Sequence, residues 1–323
     1  MEPGNNLSKE VRSRRKMKHL FIVNPKAGGR DHTVEISARV KEAFLYRDDE
    51  YEIYVTKAPM DATEKVRLEA EKGEPLRVYA CGGDGTFNEC ICGAALKDHV
   101  AVCPFPFGTG NDFCRAFGED KDLYRDLYAL LDGEEEAMDI IDCNGRYSAN
   151  ICSVGIDARV GTSVHDYSGI PFADGPFGYV VSLIHNVIKG ISTKMTITSG
   201  NFHAEGMYSL ACACNARYYG GGFNPSPDAA INDGLLEILI VKEVSLPVLA
   251  MLLGKYASGH ADDYPDYITH LRGTELTINL EEPDVVNLDG EAIRSDSIHI
   301  RLLPKAAKII VPKGCTHFPG KRT

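Results

Sequence analysis

From residue 20 to residue 103 the chain alternates short apolar runs with longer stretches whose apolar positions recur at helical spacing. Leu20-Phe21-Ile22-Val23, the run 76–81 and Val100-Ala101-Val102-Cys103 are rich in β-branched, aromatic and small apolar residues. Such runs suit strands covered on both faces. Between them, Val34, Ala38, Val40 or Lys41, and Phe44 mark a helix over 33–46, and Tyr51-Glu52-Ile53-Tyr54-Val55 alternates as a strand. Asp61-Ala62-Thr63-Glu64 reads as the cap of a helix that runs to Lys72 and stops at Gly73, and 87–96 as a further helix. Strand and helix in this alternation predict a parallel, doubly wound sheet.

The pattern changes further on. Residues 122–131 read as a helix and Asp132-Gly133-Glu134-Glu135-Glu136 as a solvated acidic turn. From Met138 the segments 138–143, 147–154, 194–199, 207–214 and 236–241 read as strands without intervening helices, which indicates an antiparallel, β-rich sandwich. One helical insertion, 177–188, follows a loop over 167–176. Its Ile170, Phe172 and Phe177 are either buried anchors, the default for such loops, or a lipid-facing lip. Strands over 297–303 and 307–311 close the pattern. The predicted fold is thus α/β plus all-β, with a boundary near residue 140.

Three turns carry candidate chemistry. Gly82-Gly83-Asp84-Gly85-Thr86-Phe87-Asn88-Glu89 lies between a strand and a helix. Glycine opens backbone angles closed to other residues, its missing Cβ lets an anion approach the amides, and the helix start adds partial positive charge. That describes a phosphate cradle. A carboxylate such as Asp84 would repel a phosphate unless a cation such as Mg2+ lay between them. Asn24-Pro25-Lys26-Ala27-Gly28-Gly29-Arg30 and Phe107-Gly108-Thr109-Gly110-Asn111-Asp112-Phe113 repeat the strand, glycine turn, helix plan. Each alone could be a solvated turn. The carboxyl ends of strands in an open α/β sheet line one crevice, so three such turns can converge on one ligand.

These three motifs, in this order and spacing, resemble the diacylglycerol kinase catalytic-domain family, which includes sphingosine and ceramide kinases and soluble bacterial lipid kinases. The middle motif alone is also similar to those of NAD kinases and phosphofructokinases. Ala230-Ile231-Asn232-Asp233-Gly234-Leu235 and Leu288-Asp289-Gly290-Glu291 extend the resemblance over nearly the whole chain after residue 17. It implies ATP held with Mg2+ over Asn24, Pro25, Lys26, Ala27 and Gly28, over Gly82, Gly83, Asp84, Gly85, Thr86, Phe87 and Asn88, and over Thr109, with Thr56 nearby. It implies Glu291 as the general base with Asp289 assisting, Asp84 placing the catalytic cation, and a structural Mg2+ at Asp233 and the carbonyls of Ala230 and Leu235. The Asp-Gly pairs also read as plain hairpin turns. The implied organisation is a basic flexible tail over 1–16, a nucleotide-binding domain over 17–140 that takes back about 306–323, and a lipid-substrate domain over 141–305. The implied acceptor is a lipid alcohol such as diacylglycerol. NAD kinase chemistry, or a non-catalytic nucleotide- or lipid-binding regulator, is the alternative.

Composition narrows the partners. A net charge of -11 argues against nucleic acid, whose phosphates demand a clustered basic surface. The basic residues Arg12, Arg14, Arg15, Lys16 and Lys18 read as a solvated tail, or as a patch attracted to anionic lipid. No apolar run approaches the ~20 residues that span a bilayer. With no secretory signal in the sequence, the ten cysteines are expected to be reduced core residues. A cytoplasmic protein that touches membranes at the periphery during turnover is expected, with a homodimer left open.

Overall fold

The computed structural model describes residues 16–108, 110–163 and 191–320. Thr109, the basic tail through residue 15 and the readings of 167–176 and 177–188 lie outside the described residues. The first half runs β1 (Lys18–Val23), α1 (Thr33–Ala43), β2 (Glu50–Val55), α2 (Asp61–Ala70), β3 (Leu76–Gly82), α3 (Asp84–Ala94) and β4 (Val100–Pro106). The strands pair in parallel in the order β2-β1-β3-β4. Leu20 to Val23 are wholly buried because β1 is central, whereas β2 is the sheet edge and keeps its residues partly exposed, hence its alternating sequence. Ile36 and Val40 of α1 and Phe87 and Ile91 of α3 complete this core.

Two short helices, α4 (Asp112–Arg115) and α5 (Leu127–Leu131), lead into the second half. It comprises β5 (Glu134–Cys143), β6 (Arg146–Ser148), β7 (Ile151–Gly155), α6 (Ile156–Ser163), β8 (Thr193–Ser199), β9 (Phe202–Cys214), β10 (Leu236–Lys242), α7 (Leu246–Ala257), β11 (Ile268–Gly273), β12 (Glu275–Leu288) and β13 (Glu291–Val311). Its strands pair antiparallel around a core of Ile141, Val154, Ile197, Ile238, Ile278 and Ile300. The long β13 pairs with β12 and β5 and then lies parallel to β4 through Ile309 and Val102, so one strand belongs to both halves.

Several sequence expectations are corrected. Met60, with φ 67°, holds the position before α2, and Asp61 is no cap. Its carboxylate accepts from the Tyr54 hydroxyl (2.9 Å) and the Lys57 amide (2.8 Å), tying the helix start back to β2. Residues 122–131 do not form one helix. A 3-10 turn ends at Arg125, and Asp126 restarts the chain by accepting from the amides of Tyr128 and Ala129. Glu134, Glu135 and Glu136 are not a turn but the start of β5, because their backbones pair with Val311, Ile310 and Ile309. The strand over 147–154 is broken at Ala149 and Asn150, while 297–303 and 307–311 are one strand with an irregularity between Leu303 and Ala307. At that irregularity Lys305 has φ 53°, and its amide is held by the buried Asp139 carboxylate at 2.7 Å. All ten cysteines are free, and most are buried. Among the described residues no helix is long and apolar enough to cross a membrane.

A charge network closes the far edge of the second half. His270 on β11 points Nε2 at the buried Glu237 carboxylate (2.7 Å) and Nδ1 at Asp262 (2.6 Å), while Arg272 Nε reaches Glu237 at 2.7 Å. Two carboxylates on two ring nitrogens favour the imidazolium, and the bond to Glu237 leads in raising the His270 pKa from 6.5 to about 9. A raised folded-state pKa means that the stabilisation is complete below pH 6.5 and is lost as pH rises through about 9. His270→Gln is expected to lower the melting temperature at pH 7 and to remove much of the decline over that window. An unchanged slope in thermal melts would show that another group titrates there.

Candidate active site

The three glycine turns meet at the carboxyl ends of β1, β3 and β4. The Asn24 amide donates to Cys81 O (3.0 Å), and its side chain donates to the Thr86 hydroxyl (3.1 Å). The amides of Phe107 and Gly108 both donate to Gly82 O, at 2.8 and 3.1 Å. Thr56 sits at the end of β2, with its amide on Val23 O at 2.9 Å. Glycine is required where the turns touch: any side chain on Gly28 would run into the Phe107 carbonyl, and a Cβ on Gly108 would lie 2.6 Å from Gly83 Cα. Gly85, in the first turn of α3, is exposed and would meet nothing within 4 Å. The start of α3 therefore presents backbone to open space beside a contracted floor, with Lys26 and Arg30 exposed on the same turn system.

Two carboxylates lie below that opening. Asp84 accepts from the Phe113 amide at 3.2 Å, and its other oxygen would stand 2.9 Å from a Cβ on Gly110. Asp112, 4% exposed, accepts from the Gly221 amide at 2.7 Å and lies 3.2 Å from Arg115 Nε. Burial raises the pKa of Asp84. Burial and then the neighbouring Asp84 charge push Asp112 up to about 6, against the pull of the Gly221 amide and Arg115. Two acids with one guanidinium between them leave an excess of buried negative charge. Asp112 is quoted in the third motif but is not among the site residues selected from sequence. Its signal was present in the Asn-Asp-Phe triplet, yet only the folded chain sets it beside Asp84.

The Asp289-Gly290 pair is a hairpin turn, with φ of 50° and 95° between the paired residues Leu288 and Glu291. Its carboxylate is buried rather than solvated. It accepts from the amides of Ala149 (2.7 Å), Asn150 (2.9 Å) and Ile151 (2.9 Å), at the break between β6 and β7. Asn88 of α3 takes the Ala149 amide as well, at 3.1 Å, which links this turn to the glycine loop. The Asp289 carboxylate thus serves these amides and anchors the turn. Asp289→Ala would strand the buried amides of Asn150 and Ile151 at about 1 to 3 kcal/mol each, while Ala149 keeps Asn88, so a loss of several kcal/mol is expected in urea denaturation. An unchanged midpoint would rule out this anchoring.

Glu291, half-buried at the first position of β13, projects from that anchored turn. Burial raises its pKa above 4.5, and the charges of Glu89 and Asp289 add to the rise while Arg146 opposes it. Glu89 itself is committed elsewhere, with its carboxylate on the Ala62 amide at the start of α2 (3.1 Å).

Other selected residues land differently. Phe87 is 1% exposed, its ring 4.4 Å from that of Phe113, and Asn88 is 2% exposed, so these side chains serve the core and the Ala149 segment rather than an open face. Ala27 and Thr86 are also buried, whereas Pro25, Lys26 and Gly83 keep exposed surface. The Asp233 set does not fit a cation as arranged. Asp233 is paired with Arg272 (2.9 Å) and accepts from the Leu235 amide (3.1 Å), so its charge is already matched. A cation carried by Asp84 and Asp112 does fit, because Mg2+ commonly uses one or two carboxylates and completes its shell with phosphate oxygens and water.

Comparisons with known proteins place the chain in a family. Residues 18–143 match the model of the diacylglycerol kinase catalytic domain, and residues 150–311 that of the YegS C-terminal NAD kinase beta sandwich-like domain. A "Probable lipid kinase YegS-like" of Pectobacterium atrosepticum is 28% identical over 310 residues, covering 92% of this chain and 97% of that protein. A "Probable lipid kinase YegS" of Shigella flexneri is 29% identical over 270 residues, covering 77% and 87%. The fold is also that of a crystal structure described as a diacylglycerol kinase from Bacillus anthracis, with a TM-score of 0.68 at 24% identity, covering 93% of this chain and 98% of that one. The chain belongs to the diacylglycerol kinase catalytic-domain family, among the YegS-type lipid kinases.

Proposed function

We propose that this protein is an ATP-dependent kinase that transfers the γ-phosphoryl group to the hydroxyl of diacylglycerol, giving phosphatidic acid, or to a related lipid alcohol. The observation that carries this reading is the convergence of three glycine turns over the Asp84 and Asp112 pair, tied through Asn88 and Ala149 to the turn that presents Glu291. Family membership supports the lipid acceptor.

The amides around Gly28 and Gly82 to Gly85 hold the nucleotide phosphates, with Lys26 beside them and Thr56 at the rim. Asp84 and Asp112 would hold Mg2+, which when bound neutralises phosphate charge. Glu291 accepts the proton of the lipid hydroxyl as its oxygen attacks the γ-phosphorus and the bond to the ADP oxygen breaks. A raised pKa brings this carboxylate closer to an effective base. Positioning and charge neutralisation supply most of the acceleration. We assign the nucleotide to residues 17–140 with 306–323 and the lipid to residues 141–305, in a cytoplasmic protein that meets the membrane only peripherally.

The test is transfer of γ-labelled phosphate, with Mg2+ present, to a panel of detergent-dispersed lipids, with NAD in a parallel reaction. Label in a lipid phosphate is expected, and its identity names the acceptor. Label only in NADP would move the protein to NAD kinase chemistry, and label nowhere would favour a non-catalytic regulator.

A further inference from the structure

The peptide units that receive Asp289 are gripped from their other side by Asn215, joined at Asn150 O by the Ala216 amide (3.2 Å). Asn215, fully buried just past the end of β9, donates from Nδ2 to Ala149 O at 2.8 Å and from its own amide to Asn150 O at 2.8 Å. The other Nδ2 proton goes to Asp139 O, also at 2.8 Å. Both Nδ2 partners are carbonyl oxygens, so hydrogen-bond chemistry fixes which end of this side-chain amide is nitrogen.

The consequence follows from peptide planarity. The carbonyl of Ala149 shares a rigid trans plane with the amide of Asn150, and the carbonyl of Asn150 shares one with the amide of Ile151. In each plane, C=O and N–H point in opposite directions. Holding the two carbonyls therefore aims two of the three donors at Asp289 from behind, the first through the Asn215 side chain and the second through its backbone. Asp289 in turn lies two residues before Glu291 in the tight hairpin.

We propose that Asn215 is a positioning residue for phosphoryl transfer, orienting the 149–151 amides that seat Asp289 and so setting where Glu291 stands. The inference rests on the reading of Glu291 as the base. A displaced base loses rate steeply while nucleotide binding, made on the glycine turns, is spared.

The test combines kinetics with amide exchange in the full chain. Asn215→Ala is expected to lower kcat about 10- to 100-fold with KM for ATP unchanged. It should also speed hydrogen exchange of the Asn150 amide, whose peptide plane the side chain holds, by at least about 10-fold, without a comparable change in the 82–85 turn. Combined with Asp289→Ala, its effect on kcat should be much less than additive, since both act through one contact. Asn215→Asp keeps the shape but sets oxygen against two carbonyls, and it provides a second variant should alanine fail to fold. Ser199→Ala, which deletes a partly buried bond to Glu275 O in the sandwich (2.7 Å), serves as the control and should lose stability but not kcat. Additive effects, unchanged exchange at the Asn150 amide, or a loss confined to KM for ATP would overturn the proposal. If the wild-type chain phosphorylates no lipid, the kinase reading fails, and the exchange comparison still decides whether Asn215 orients the segment.

Discussion

Glu291→Gln is expected to reduce kcat for lipid phosphorylation by about 10²- to 10⁴-fold, the usual contribution of a positioned general base, with the protein still folded. The amide keeps the size of the side chain and removes only its capacity to take a proton. Among the described residues the structure records no hydrogen bond or ion pair on the Glu291 carboxylate, so the exchange should cost little stability. The wild-type rate should rise with pH as Glu291 ionises, with a midpoint above the ordinary 4.5 because burial and the neighbouring acids favour the protonated form. That limb should vanish in the variant. Turnover retained within a few-fold, measured with saturating ATP and a dispersed lipid acceptor, would remove Glu291 from the base role.

Asp84→Asn is expected to combine lost activity with gained stability. Activity should fall by roughly 10²- to 10³-fold or more, because the charge that places the cation against the phosphates is gone. The remaining side-chain oxygen can still accept from the Phe113 amide. Without divalent cation the variant should melt higher than the wild type at neutral pH. The sign follows from the raised folded-state pKa values of Asp84 and Asp112. The stability associated with these acids is complete below the ordinary 3.8 and is lost as pH rises through about 6, where Asp112 ionises beside Asp84. Removing one charge relieves that loss, so the gap between variant and wild type should open between pH 4 and 7. Mg2+ should raise the wild-type melting temperature, since a ligand of the native state stabilises by mass action, and should do so far less in Asp84→Asn. A variant that melts lower than the wild type at pH 7 without metal would contradict the charge frustration inferred at this pair.

Local pattern carried much of this molecule. The buried strands β1, β3 and β4 and the glycine turns after them were legible because unbroken apolar runs and glycine punctuation are local signals, set by the faces each strand must bury and the angles each turn must adopt. Where local preference met competing partners it misled. Glu134 to Glu136 look like a solvated turn but are drawn into β5 by pairing with the end of β13. Asp61 looks like a cap but is engaged by Tyr54 and Lys57.

The sequence by itself determined the order of strands and helices through β4, the three glycine turns and the acidic residues offered to a phosphate site. Each of these depends on residues within a few positions of one another. Only the tertiary structure decided where the acids sit and what they contact. Asp84 and Asp112 become a frustrated pair because β3 and β4 are neighbours, and Asp289 becomes an anchor because the hairpin before β13 meets the break between β6 and β7. Asp233 is matched by Arg272 from β11. Burial and charge partners arise between segments far apart in the chain, and they, rather than residue type, set whether a carboxylate is base, ligand or latch.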